Sequence, residues 1–283
     1  FSYMFQNALD FNNDNNADPI NDWTTGAVTN MIGMFNNAEA FNRNIGGWDT
    51  GNITDMSTMF NGAILFNQDL GDWDTINVTT MVSMFHSANG FNNDSDTNVI
   101  RDWNVSNVTD MTSMFENATI FNRDIRSWNT ENVTAMVNMF KSAISFNTYI
   151  ASWDTSNVSD MSSMFDHATS FNQYINYSEP YWNVKNVTDM NNMFYGALVF
   201  DKELKDWNVS NVTNMSGMFQ EAISFNQNIG VGSNWNVSKV TTMKNMFHDA
   251  ELFNQNLNVW NVLNVLDMSS MFEGATNFNG NCT

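Results

Sequence analysis

Asn52-Ile53-Thr54-Asp55-Met56-Ser57-Thr58-Met59-Phe60-Asn61-Gly62-Ala63-Ile64-Leu65-Phe66-Asn67-Gln68-Asp69-Leu70-Gly71-Asp72-Trp73 is one unit of a repeat that runs the length of the chain. Outward from this stretch, Trp recurs at 23, 48, 73, 103, 128, 153, 182, 207, 235 and 260. A Met-Phe pair occurs eleven times, from Met4-Phe5 to Met271-Phe272. Each pair is followed by Ala three residues after the Phe, then by a second Phe, and then by Asn everywhere except at Asp201. Self-similarity at a fixed short period is the mark of a solenoid, in which each unit buries its apolar side against the next. The pattern predicts a single array over 1–283 of about eleven tandem repeats of roughly 25 residues. Phe1 takes the slot of the first Met, so the array reads as incomplete at its N-terminus.

Within a unit, Met56, Met59, Phe60 and Ala63 stand at i, i+3, i+4 and i+7, one apolar face of a short helix or helical turn. Asp55 precedes that face, where a carboxylate can accept first-turn amide protons. The β-branched pair of Asn-Val-Thr favours an extended segment, and Ile45 to Trp48 reads as a second one. The expected fold class is therefore an α/β repeat solenoid, each coil holding short strands and a short helix or helical turn. Coils paired as β-ladders would rise about 4.8 Å each. The Asn before Val, at 52, 77, 107, 132, 157, 186, 211 and 264, is expected to form an internal ladder, bonding its copies or the turn backbone.

Composition narrows the function classes. Ten Lys and Arg against thirty Asp and Glu give a net charge of −20, which repels phosphate backbones and anionic membranes. Nucleic acid is excluded as a partner on that ground. The abundance of Met, Phe and Trp argues against disorder. Cys282 is the only cysteine, so no internal disulfide forms. No apolar run reaches the length of a membrane-spanning helix, so no direct membrane insertion is expected in this segment.

The motif N-V-T-x-M-x-x-M-F-x-x-A-x-x-F-N-x-x-I-x-x-W resembles the repeat of BspA-like surface proteins, in particular the Met- and Trp-rich branch found in mycoplasma-type surface lipoproteins. The resemblance covers the whole chain. It implies a leucine-rich-repeat-like solenoid displayed at the cell surface or outside the cell and associated with adhesion or protein binding.

Departures from the repeat point to candidate sites. The second Phe and the Trp are normally seven residues apart, but twelve from Phe11 to Trp23 and from Phe91 to Trp103, eleven from Phe171 to Trp182, and ten from Phe225 to Trp235. Insertions in solenoids map to loops on one face, so four enlarged loops are expected along one edge. The first two carry Asp14, Asp18 and Asp22, and Asp94, Asp96 and Asp102, oxygen donors of the type that calcium requires, although the spacing is not that of an EF-hand. The same residues are also ordinary turn formers. Tyr174, Tyr177 and Tyr181 in the third are candidate partner contacts, offering large area at low entropic cost, or a local lid. Asn93 and Asn176 lie in insertions and are the sequons best placed for glycosylation; those before Val are created by the repeat.

An enzyme needs convergent groups. His86, His167 and His248 fall several coils apart, no nucleophile has a base, and no Cys/His set has metal-ligand spacing. The expected function is a non-enzymatic extracellular or cell-surface scaffold for adhesion or protein or glycan recognition through the inserted-loop edge. The alternative is a structural fibre or surface coat formed by self-association of rods.

Overall fold

A computed structural model of the protein describes residues 1–12, 20–93, 100–175 and 182–280. It is a stack of coils joined by single parallel β-bridges rather than by extended strands. The bridges run Asn30, Asp55, Thr80, Asp110, Ala135, Asp160, Asp189, Asn214, Thr242, Asp267, one residue per coil, each in the slot just before the first Met. The helical face expected from Met56 to Ala63 is absent. Among the described residues the only helices are two 3-10 turns, Ile20–Asp22 and Ile100–Asp102.

The reason lies in where the backbone amides point. Met59, Asn61 and Ala63 donate three residues back, to Met56, Thr58 and Phe60, closing successive tight turns. The alternating amides leave the coil: Met56, Thr58, Phe60 and Gly62 donate to Thr80, Val82, Met84 and His86 of the next one, at 2.7–3.3 Å. An α-helix would direct all of them to i−4. Two slots per coil hold positive φ, those of Thr58 (φ 55) and Gly62 (φ 69) here, and this is the i+2 signature of a type II turn. The pattern repeats through Ser83 and Ser87 to Ser270 and Gly274. Turns and helix share the apolar spacing, so the burial pattern is satisfied by either. Ile45 to Trp48 is also a turn, closed by Trp48 N donating to Ile45 O at 3.2 Å.

The core is three aromatic columns. The first Phe of each coil stacks on its copy, as in Phe60 to Phe85 at 5.4 Å, and the second does so too, as in Phe66 to Phe91 at 6.0 Å. Within a coil the two rings stack face to face, 4.0 Å apart for Phe60 and Phe66. Trp forms the third column, with Trp103 and Trp128 at 6.3 Å. Such pairs contribute about 0.5–1.5 kcal/mol each beyond their area. The buried Met residues belong to the same core cluster, and a flexible thioether side chain is suited to packing beside flat rings.

A buried indole N–H needs a partner, and each finds one in the preceding coil: Trp153 Nε1 donates to Ile125 O at 3.0 Å. The Thr two residues after Trp is buried in five coils and donates the other way, to the following coil, as Thr50 Oγ1 to Asp74 O. Val replaces it in the other five, buried at 105, 184, 209 and 237, where an apolar contact takes the place of a satisfied hydroxyl, and exposed at 262 in the last coil.

Candidate interaction surfaces

Three surfaces follow from this coil. The first is the inserted-loop edge. Trp48 bonds to Ile20, 28 residues back; Trp103, after an insertion, bonds to Leu70, 33 residues back, with the same geometry. Trp182 to Ile150 and Trp235 to Leu204 repeat the observation. The extra residues thus leave the stack unbroken at its core. Two crevices open beside these roots, about 320 Å³ between Trp103 and Ser127–Asn129, and about 280 Å³ between Trp235 and Val259–Asn261.

Of the candidate calcium ligands, Asp14, Asp18, Asp94 and Asp96 lie outside the described residues. Asp22 and Asp102 end the two 3-10 turns and face solvent. Asp102 is engaged by its neighbour, with Arg101 Nε 3.0 Å from Oδ1, and that hydrogen bond holds the guanidinium above its ordinary pKa. No group of three or more His, Cys, Asp or Glu is placed to hold a metal among the described residues. Tyr177, Tyr181 and Asn176 are likewise outside them. Tyr174 is exposed, with the Lys202 ammonium 4.8 Å from its ring centroid, a cation–π contact worth about 0.5–1 kcal/mol at such a site.

Asn93 does not suit the glycan expected there. Its side chain is fully buried and Oδ1 accepts from Leu70 N at 2.8 Å, holding the end of one coil against the root of the next. A glycan on Nδ2 would have to displace that packing. The signal that this Asn differs from its loop neighbours is conformational, a φ of 46, and is not written in the local composition.

The second surface carries the Asn of Asn-Val-Thr. The internal ladder expected of these residues is instead external: Val points inward, so Asn and Thr on either side of it point out. Asn157 Nδ2 donates to Glu131 O at 2.7 Å, and the other seven repeat that bond to the turn of the preceding coil. A second Asn ladder, unforeseen from sequence, follows the second Phe. Asn42 Oδ1 accepts the backbone amide of Asn67, Asn67 that of Asn92, and so on to Asn254 and Asn279. The near-invariant Asn of this slot was its signal, and Asp201 serves equally because only the acceptor oxygen is used.

The third surface is a charged column after the first Phe. It contains all three histidines, each beside a carboxylate of its own or the next coil: His86 with Glu116, His167 with Asp166, and His248 with Asp249 and Glu273. Lys141 pairs with Asp166 at 3.2 Å in the same column. The histidines engage separate coils and converge on no common point.

A chain whose every coil repeats one turn pattern over one aromatic stack is a repeat solenoid. The family described as "Mycoplasma protein of unknown function, DUF285" matches residues 1–99, 95–180 and 178–283 in three successive blocks, and the chain belongs to that family. Comparison with curated proteins finds no match. Among solved structures, a crystal structure of a TLR13–ssRNA13 complex aligns over 86% of this chain and 46% of its own, at 10% identity and a TM-score of 0.20. The chain thus spans less than half of that protein, and a likeness this low carries no argument about fold or ligand.

Proposed function

We propose that the protein is a non-enzymatic recognition scaffold of the BspA-like, leucine-rich-repeat-like kind, displayed at the cell surface or outside the cell. It binds a protein or glycan partner through the edge from which the inserted loops emerge. The observation that supports this reading is the confinement of every length change to one segment, between Phe and Trp positions whose stacking is continuous on both sides. A scaffold that varies only where variation leaves its core intact concentrates difference on one edge, which is how loop-bearing binding proteins are built. The crevices beside Trp103 and Trp235 lie at the roots of two insertions and give that edge relief.

The test is to shorten all four insertions to the seven-residue spacing and compare adhesion to cultured host cells and to an array of extracellular proteins and glycans. The shortened chain should keep its thermal stability and lose binding. Equal binding by both would reject the edge as the recognition surface. An EDTA arm reports whether calcium at the Asp-rich insertions takes part. A fibre or coat role would show instead as ordered polymers of the purified chain, measured by light scattering and electron microscopy.

A further inference from the structure

The Asn-x-Thr face meets the requirements of a second binding surface, independent of the loop edge. Its Asn and Thr columns run along the stack, broken in the first by Ala27 and Lys239 and in the second by Ser159 and Leu266, and their side chains are exposed or half-buried. In a chain with thirty acidic residues, the twenty positions of these two columns hold no carboxylate and one cation, Lys239.

The polar groups on this face are fixed and outward. Each Asn is tethered through Nδ2 to a carbonyl of the preceding coil at 2.7–2.8 Å, which orients Oδ1 away from the rod. Thr109 Oγ1 donates to Thr79 O and Thr134 Oγ1 to Thr109 O, leaving the hydroxyl lone pairs and the methyl group to the outside. What the Asn oxygens are poised to accept is shown where the repeat breaks. Lys239, standing in an Asn slot, reaches back and donates Nζ to Asn211 Oδ1 at 2.7 Å. At Asn52, Asn77, Asn107, Asn132, Asn157 and Asn186 the same oxygen has no protein donor among the described residues.

We infer that this face binds a neutral, extended polysaccharide chain laid along the rod. The ligand must bring donors to a row of acceptors, so it is rich in hydroxyls. It must present apolar C–H surface to the Thr methyls, as a pyranose ring does. It must be uncharged or nearly so, since the surrounding acidic surface repels anionic polymers. It must also repeat, because equivalent acceptors recur once per coil at β-ladder spacing, about 4.8 Å. An extended β-linked glycan advances by about one sugar in that distance. Each rung contributes weakly, and length makes the interaction selective through effective concentration.

The experiment is affinity electrophoresis of the full chain in gels containing hydroxyethylcellulose, with dextran and hyaluronan as comparators. Hydroxyethylcellulose should retard the protein, at least tenfold more strongly than two- or three-sugar fragments at equal sugar concentration, and salt and EDTA should have no effect. Dextran, flexible and differently linked, and hyaluronan, anionic, should leave it unretarded. The triple variant Thr79→Glu, Thr109→Glu, Thr134→Glu should lose at least tenfold, while Thr79→Ser, Thr109→Ser, Thr134→Ser, which keeps the hydroxyls as Ser159 does naturally but removes three methyls, should bind more weakly than the parent and at least threefold better than the Glu variant. Shortening the insertions should change nothing, which separates this face from the loop edge. Absence of retardation, equal retardation by dextran, loss in salt, or full binding by a folded Glu variant would each overturn the inference. Should the Glu variant not fold, the length series and the Ser variant decide.

Discussion

Replacing Ser163 by glycine and, separately, by alanine distinguishes the turn ribbon from a helix by the sign of the result. Ser163 has φ 54 and its amide donates out of the coil, to Asn191 O at 2.8 Å. A residue with a Cβ held in that region costs about 1–2 kcal/mol, which glycine avoids. Glycine also enlarges the unfolded ensemble, an opposing effect of about 0.4–1 kcal/mol. The Gly variant should therefore be more stable than the Ala variant by about 0.5–1 kcal/mol. In a helix interior the order reverses, because Gly is worse than Ala by about 0.5–1 kcal/mol. Ser83, with φ 53, lies three coils away and shares no partner with Ser163, so the two effects should add. Urea denaturation followed by tryptophan emission and far-ultraviolet circular dichroism gives the midpoints. Ala variants more stable than Gly variants at both positions would refute the turn assignment and restore the helical reading.

Trp153→Phe should destabilise by about 2–4 kcal/mol, most of it from the cavity left by the smaller ring. Ile125 O keeps the Trp128 amide as a donor at 3.3 Å, so the lost indole bond accounts for only about 0.5–1.5 kcal/mol; a midpoint shift near zero would count against the packing described. Asn157→Ala removes one bond to an exposed carbonyl and should cost about 0.5–1.5 kcal/mol. Asn147→Ala strips the acceptor from Asn172 N, while Gln173 Nε2 keeps the Asn147 carbonyl at 2.8 Å, and should cost a similar amount, about 0.5–1.5 kcal/mol; a urea midpoint equal to that of the parent chain would contradict the ladder. Partial burial, and then the Glu221 carboxylate 3.2 Å from its hydroxyl, hold the Tyr195 phenol above its ordinary pKa. Its contribution to stability is thus present below the unfolded value and lost as pH rises through the folded one. Ultraviolet titration should show a late-ionising tyrosine that Tyr195→Phe removes.

What could be read from sequence was whatever packing forces to be identical. Phe60, Phe66 and Trp73 recur because each must lie flat on its copy, and a column tolerates no substitute. The local backbone was less legible. Met56, Met59, Phe60 and Ala63 satisfy a helical face and a ribbon of turns equally, and only the slots of Thr58 and Gly62 tell them apart. Those slots hold mostly Gly, Asn, Ser and Asp, small or short polar residues of which Gly, Asn and Asp accept positive φ at least cost. Tyr3, Glu221 and the β-branched Thr58 itself blur that signal. The outward placement of Asn157 was also available, since buried Val158 fixes its neighbours on the opposite side by simple alternation. The burial of Asn93 was not, because it depends on an amide of the preceding coil, Leu70, 23 residues earlier.

The tryptophan column has an optical consequence. From Trp23 to Trp153, and again from Trp182 to Trp260, neighbouring indoles lie nearly parallel, 6.1–6.5 Å apart. At that separation an excited ring passes its energy to the next faster than it emits, so the chromophores respond as a row. Light absorbed in the middle of the rod is reported by whichever indole lies lowest in energy. One quencher, placed on a single coil, would darken many.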